Sequence, residues 1–188
     1  GEAPRRAKHT ASLLKNGEIL FAGGVNQNGV MSSALLLNLF NPARTVGWYC
    51  AAQMRESVVP NIIRYVHSHS ALALPSGDIL LTFGNDGAGQ AEQPALSLSY
   101  NPEGNTWTSS VGTSQKGATY NHAALLLPGG NPIIVGGARG LGQPQRGAMY
   151  YDRVQSTYTS IGIMNRPRAW HTLTLTLGQE LVVIGGYS

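Results

Sequence analysis

Four stretches of the chain carry the same order of apolar and polar positions. They are HTASLLKNGEILFAGG from His9, HSALALPSGDILLTFG from His69, HAALLLPGGNPIIVGG from His122 and HTLTLTLGQELVVIGG from His171. They align over sixteen positions without a gap, and their leading histidines stand 60, 53 and 49 residues apart. A period of that size marks a chain of stacked units. Each stretch reads as a β-hairpin. An apolar run comes first (Ala11 to Leu14, Ala71 to Leu74, Ala123 to Leu127, Thr172 to Leu177). A short turn follows, at Lys15-Asn16-Gly17, Pro75-Ser76-Gly77, Pro128-Gly129-Gly130 and Gly178-Gln179. The second run covers Ile19 to Ala22, Ile79 to Thr82, Ile133 to Val135 and Leu181 to Ile184. Near-continuous apolar runs predict strands buried on both faces. Gly23-Gly24, Gly136-Gly137 and Gly185-Gly186 close the second run, with Phe83-Gly84 in that place in the second repeat. Glycine there admits positive φ or a close backbone approach.

A second hairpin follows in three of the repeats. Its first strand is expected to end in an aromatic and then Asn or Asp, at Phe40-Asn41, Tyr100-Asn101 and Tyr151-Asp152. Asn and Asp start turns. Another aromatic, Trp48, Trp107 or Tyr158, opens the outermost strand, where it can pack against the unit beneath. Two linkers to the next hairpin carry Met and Arg, at Met54-Arg55 with Arg64 and at Met164 with Arg166 and Arg168. The third, Thr108 to Asn121, has neither.

The histidine-headed hairpin, the Tyr-Asn-Pro…Trp hairpin and the Met…Arg linker together resemble the kelch repeat, in the variety found in galactose-oxidase-like and secreted bacterial kelch proteins. The resemblance implies an all-β fold: a β-propeller of four-stranded antiparallel blades, here a partial ring. Residues 1–188 form one segment, with blades at about 7–54, 65–111 and 119–164 and half a fourth at about 168–188. Three and a half blades would leave strand edges and an apolar inter-blade face open. The expected partner is therefore a second chain, or further blades, completing a ring of the usual size.

Composition agrees with many tight turns. Charged residues make up only 12%, and glycine contributes 24 residues and proline 10. The net charge of +4 comes mainly from ten scattered arginines, without a dense basic run or basic-aromatic interleaving, which disfavours nucleic acid as partner. No apolar stretch is long enough to span a membrane, so no membrane partner is expected. The single cysteine, Cys50, allows no disulfide within the chain. The resemblance favours a secreted over a cytoplasmic setting without deciding it.

Candidate chemistry is thin. The aligned histidines could line an axial metal site, but a residue repeated once per unit reads as structural. His67 and His69, two apart, would share a strand face. Glu18, Asp78 and Glu180 occupy one repeat position and read as structural. The family's copper oxidases place a tyrosine before a repeat histidine; here Lys8, Ser68, Asn121 and Trp170 stand there, and Cys50 lies in an outer strand. No catalytic residue, metal ligand or cofactor is assigned. The expected function is non-catalytic binding of a protein or glycan through the loops between second and third strands: Val25 to Ser33, Asn85 to Pro94 and Ala138 to Gly147. The linkers Arg55 to Arg64 and Ser110 to Asn121 vary as well. Asn26, Asn28, Asp86, Arg139 and Arg146 are the polar candidates on the loops. The alternative is the propeller part of a secreted copper oxidase or carbohydrate-active enzyme.

Overall fold

The computed structural model describes residues 5–55, 66–87, 94–116 and 119–188, with side chains except at 94–96 and 110–116. Arg64, Glu92 and most of the Arg55 to Arg64 linker lie outside the described residues, as do positions 88–93 of the second loop.

The described residues form strands and turns, with no helix. None of them therefore belongs to a helix long and apolar enough to cross a membrane. The first repeat runs through β1 (Thr10–Leu13), β2 (Glu18–Ala22), a small ribbon of β3 (Val25–Asn26) and β4 (Gly29–Val30), then β5 (Ala34–Asn38) and β6 (Gly47–Cys50). The second runs through β7 (Ser70–Ala73), β8 (Ile79–Thr82), β9 (Pro94–Asn101) and β10 (Thr106–Lys116). The third holds β11 (Ala123–Leu126), β12 (Pro132–Val135), the ribbon β13 (Ala138–Arg139) and β14 (Gln143–Pro144), then β15 (Gly147–Asp152) and β16 (Thr157–Ile163). A last hairpin pairs β17 (Ala169–Leu175) with β18 (Leu181–Tyr187).

Each full repeat is an antiparallel four-stranded sheet, in the orders β1-β2-β5-β6, β7-β8-β9-β10 and β11-β12-β15-β16. The first strands stand side by side along the series, β1 against β7, β7 against β11 and β11 against β17. The first hairpin turn is the same in all four. The amide of the residue five past the histidine meets the carbonyl four residues on, at 2.8–2.9 Å from Leu14, Leu74, Leu127 and Thr176. The left-handed residue it needs is Gly17, Gly77 or Gly130, and Gln179 in the fourth copy at φ +63°. The second turn is seeded by Asn101 and Asp152, whose side chains accept the amides of Gly104 and Val154 at 2.7 and 2.8 Å.

Burial follows from the stacking of sheets. One core joins the first sheet to the second: Leu20, Leu36 and Met54 against Ile79, Leu81 and Tyr100. A second joins the second sheet to the third: Leu80 and Phe83 against Ile134, Met149 and Tyr158. In β8 the side chains alternate between these two cores, so all four residues are buried, as are all four of β12. β2 alternates buried and half-buried, and β18 is largely open, because each has a sheet on one face only. The outer aromatics tie repeats together. Trp107 Nε1 donates to the Ala52 carbonyl of the preceding linker at 2.8 Å, and the Tyr158 hydroxyl hydrogen-bonds Ser97 Oγ of the second sheet.

Several expected features differ. Phe40 lies beyond the end of β5 and is exposed, because the buried Asn38 carboxamide gathers the carbonyls of Asn41, Arg44 and Thr45 at 3.1, 2.8 and 2.9 Å and ends the strand early. Trp48, in the first sheet and so without a preceding one here, sits beside Phe21 of its own sheet, ring centroids 5.1 Å apart. The stretch from Ser110, expected as linker, continues β10 to Lys116.

The glycine pairs sit where sheets meet. A Cβ on Gly136, at φ +62°, would stand 2.6 Å from the Arg168 carbonyl oxygen and 2.7 Å from His171 Cε1; one on Gly140, at φ +51°, would meet nothing. Gly136→Ala should therefore destabilise the chain by about 3 kcal/mol, against about 1 kcal/mol for Gly140→Ala, where only left-handed strain is added. Urea unfolding of the two variants makes the comparison.

Candidate functional site

The residue before each aligned histidine is left-handed. Lys8, Ser68, Asn121 and Trp170 have φ of +56°, +55°, +54° and +54°. In this conformation the amide of each meets the carbonyl of its counterpart one repeat earlier: Ser68 to Lys8 at 3.0 Å, Asn121 to Ser68 at 2.9 Å and Trp170 to Asn121 at 2.9 Å. A chain of hydrogen bonds thus crosses three sheet boundaries at one level. Left-handed φ costs a residue with a Cβ on the order of 1 kcal/mol, and the inter-sheet bonds offset it.

The next residue is the histidine. His69 Nε2 bonds Thr10 Oγ1 of the preceding repeat at 2.8 Å, and His122 Nε2 bonds Thr82 Oγ1 at 2.9 Å. His122 Nδ1–H donates to the Thr119 carbonyl at 3.1 Å, and burial keeps the ring neutral, so its Nε2 accepts the threonine proton. Before His171 the counterparts of Thr10 and Thr82 are Ala123 and Val135, which have no hydroxyl. Neither His171 nitrogen has a hydrogen bond of good geometry, although the Val135 and Arg168 carbonyls lie near enough to favour the charged form. Burial drives the His69 imidazole down to about 3 and His122 to about 4. The second glycine of each pair rests on its own histidine, since a Cβ on Gly84, Gly137 or Gly186 would stand 2.9–3.0 Å from that histidine's Cβ. Its amide also reaches the next repeat: Gly24 to the Val66 carbonyl at 2.7 Å, Gly84 to Thr119 at 3.1 Å and Gly137 to Arg168 at 2.9 Å.

These residues enclose a shallow cup of ≈ 370 Å³, lined by Lys8, Ser68, Asn121, Trp170 and the histidines behind them. The loops between second and third strands begin at the same end. Ala7, His67 and Tyr120, each one residue before a cup residue, pair with Val25, Asn85 and Ala138. The ribbons β3–β4 and β13–β14 therefore rise beside the cup. Tyr120 and Tyr187 hold the β13–β14 ribbon by donating to the carbonyls of Gly140 and Gly142, and the Tyr187 ring lies 5.0 Å from that of Trp170.

The five candidate residues lie on three separate loops at this end. Asn26 caps the first ribbon by accepting the Asn28 amide at 2.8 Å, and it lines a second cavity of ≈ 660 Å³ with Arg5 and Arg6. Asn28 is exposed. Asp86 is half-buried, and its charge pulls against the burial and the Lys8 charge that lower the His67 imidazole. Asn85 shapes the Asp86 loop by accepting the Gly87 amide at 2.7 Å. Arg139 is half-buried in β13, and Arg146 is exposed before β15.

His67 and His69 do not form the expected pair. Ser68 is left-handed, so no continuous strand puts them on one face; His67 Nδ1 bonds Ser68 Oγ at 2.9 Å while His69 turns to Thr10. Among the described residues no three of His, Cys, Asp and Glu are placed to hold a metal ion together. Cys50 is exposed in β6. Glu18 lies buried, paired with Arg44 at 3.4 Å, and Asp78 receives Asn101 Nδ2 at 2.9 Å. The cup residues Lys8, Ser68, Asn121 and Trp170 were absent from the sequence-derived candidates. The available signal was a column of four different side chains beside a constant histidine. Comparison with protein-family models and with curated protein sequences returns no match.

The buried histidines set a pH dependence. Their folded values lie below the unfolded ~6.5, so the folded state binds fewer protons. The stability they confer is complete above pH ~6.5 and is lost as pH falls toward about 4 for His122 and about 3 for His69. Between pH 7 and 5 each should cost about 2 kcal/mol. His122→Asn should lower stability at pH 7 and flatten the slope between pH 7 and 5, measured by urea unfolding across that range.

Proposed function

We propose that the chain is a segment of a kelch-type β-propeller serving as a non-catalytic binding module for a protein or a glycan. One observation carries this reading. The inter-strand loops all start at the end of the sheets where the cup opens, beside residues locked by inter-sheet hydrogen bonds. A rigid frame holding several unlike loops around one depression is the usual layout of a recognition surface. The repeated contacts from sheet to sheet support the propeller assignment. The proposal includes further repeats, from this chain or a second one, against the exposed apolar residues near the last hairpin, Ile163, Ile184 and Leu177.

In this reading Arg139 and Arg146 form one side of the face, Asn26 and Asn28 the opposite ribbon, and Asp86 stands between them. The copper-oxidase alternative gains nothing from the described residues, since no tyrosine stands among the cup residues and Cys50 sits on a distant outer strand.

Screening the chain on a glycan array and a peptide library tests the proposal. The expected result is selective retention of a small ligand set, weakened at least tenfold by Arg146→Ala or Asn28→Ala, with unchanged thermal midpoints. Retention of nothing, or loop variants that bind as the native chain does, would contradict it.

A further inference from the structure

The cup itself has a chemistry of its own. Its backbone is committed to holding the sheets together, and the side chains take no part in that. Glycine would adopt the left-handed conformation without strain, yet all four positions carry side chains, and the four are different. Lys8 brings an ammonium, Ser68 a hydroxyl, Asn121 a carboxamide and Trp170 an indole that is 61% exposed. The indole is braced by Tyr187 at 5.0 Å and 38°. All four can donate hydrogen bonds, and no carboxylate lines the cup. Burial lowers all four lining imidazoles, His9 and His171 as well as His69 and His122, so at neutral pH Lys8 carries the cup's formal charge. The described parts of the three loops add Arg139 and Arg146 against one carboxylate, Asp86. The field over this end therefore favours an anion.

We propose that the cup binds a hexuronate, a pyranose ring bearing a carboxylate, at the end of an acidic glycan. The apolar face of the sugar lies on Trp170, as apolar ring faces do on exposed aromatics. Its carboxylate meets Lys8, and its hydroxyls meet Asn121 and Ser68. A volume of ≈ 370 Å³ suits a small ligand group. A neutral sugar would leave the ammonium without a counter-charge and would find no carboxylate acceptor for its hydroxyl protons. A small carboxylate without a ring would leave the indole uncovered. The proposal rests on the binding-module reading and names its central site and ligand.

The test is calorimetric titration of the full chain with a galacturonate trisaccharide, its neutral methyl ester, free glucuronate and acetate. The expected result is saturable binding of the uronates that weakens with added salt, at least tenfold weaker binding of the ester, and no competition by acetate. Lys8→Gly and Trp170→Gly keep the left-handed backbone, so each should weaken binding at least tenfold in a chain that still unfolds cooperatively, Lys8→Gly without lowering the thermal midpoint; Lys8→Met isolates the charge. Absence of uronate binding, equal affinity for the ester, competition by acetate, or glycine variants that bind like the native chain would overturn the proposal. If the array finds ligands sensitive to the loop substitutions while uronates fail here, the module stands and this site falls.

Discussion

The joint between one sheet and the next turns on the residue before each histidine. Turned left-handed, it lays its amide on the carbonyl of its counterpart in the preceding repeat. That one geometry dictates much of what surrounds it. The histidine that follows is aimed back at the preceding sheet, where Thr10 and Thr82 receive the rings of His69 and His122. The chain end of the second strand then passes close beneath these histidines, through Gly23 and Gly136 with Phe83 in the second repeat, and the glycine that follows in each leaves room for the histidine's own Cβ. The result is a seam of short hydrogen bonds at one level, with the apolar cores stacked outward from it.

The seam explains why burial differs between chemically similar strands. β8 and β12 each lie between two sheets and bury every residue, whereas β2 buries alternate ones. In the proposed reading it also separates structure from recognition within one short segment. Backbone and histidine hold the sheets; the side chain one position earlier is released toward the cup, and the ribbons after the second strand rise around it.

The hairpins, their turns and the constant histidine were legible in the sequence because each is governed by local chemistry repeated in register. The left-handed turn at 17, 77, 130 and 179 is visible as glycine three times out of four. The three four-stranded sheets and the terminal hairpin were legible for the same reason. Phe40 misled because Asn38 ends its strand early through bonds to carbonyls up to seven residues ahead, a long-range use of one amide that no pattern announces. The ribbons β3–β4 and β13–β14 are only two residues per strand, too short for periodicity to register. The cup stayed hidden because left-handed Lys8, Ser68 and Trp170 are residue types that ordinarily avoid that conformation; it is imposed by the neighbouring sheet, not by local preference.

Hydrogen exchange at the amides of Ser68, Asn121 and Trp170 tests the seam most directly. They sit beside solvent-facing side chains, in segments that would exchange quickly if they were ordinary loops. If these amides bind the preceding repeat, they exchange orders of magnitude more slowly than unprotected ones, at rates matching the core strands β8 and β12, because only separation of sheets exposes them. Exchange on the timescale of free loop amides would contradict the account.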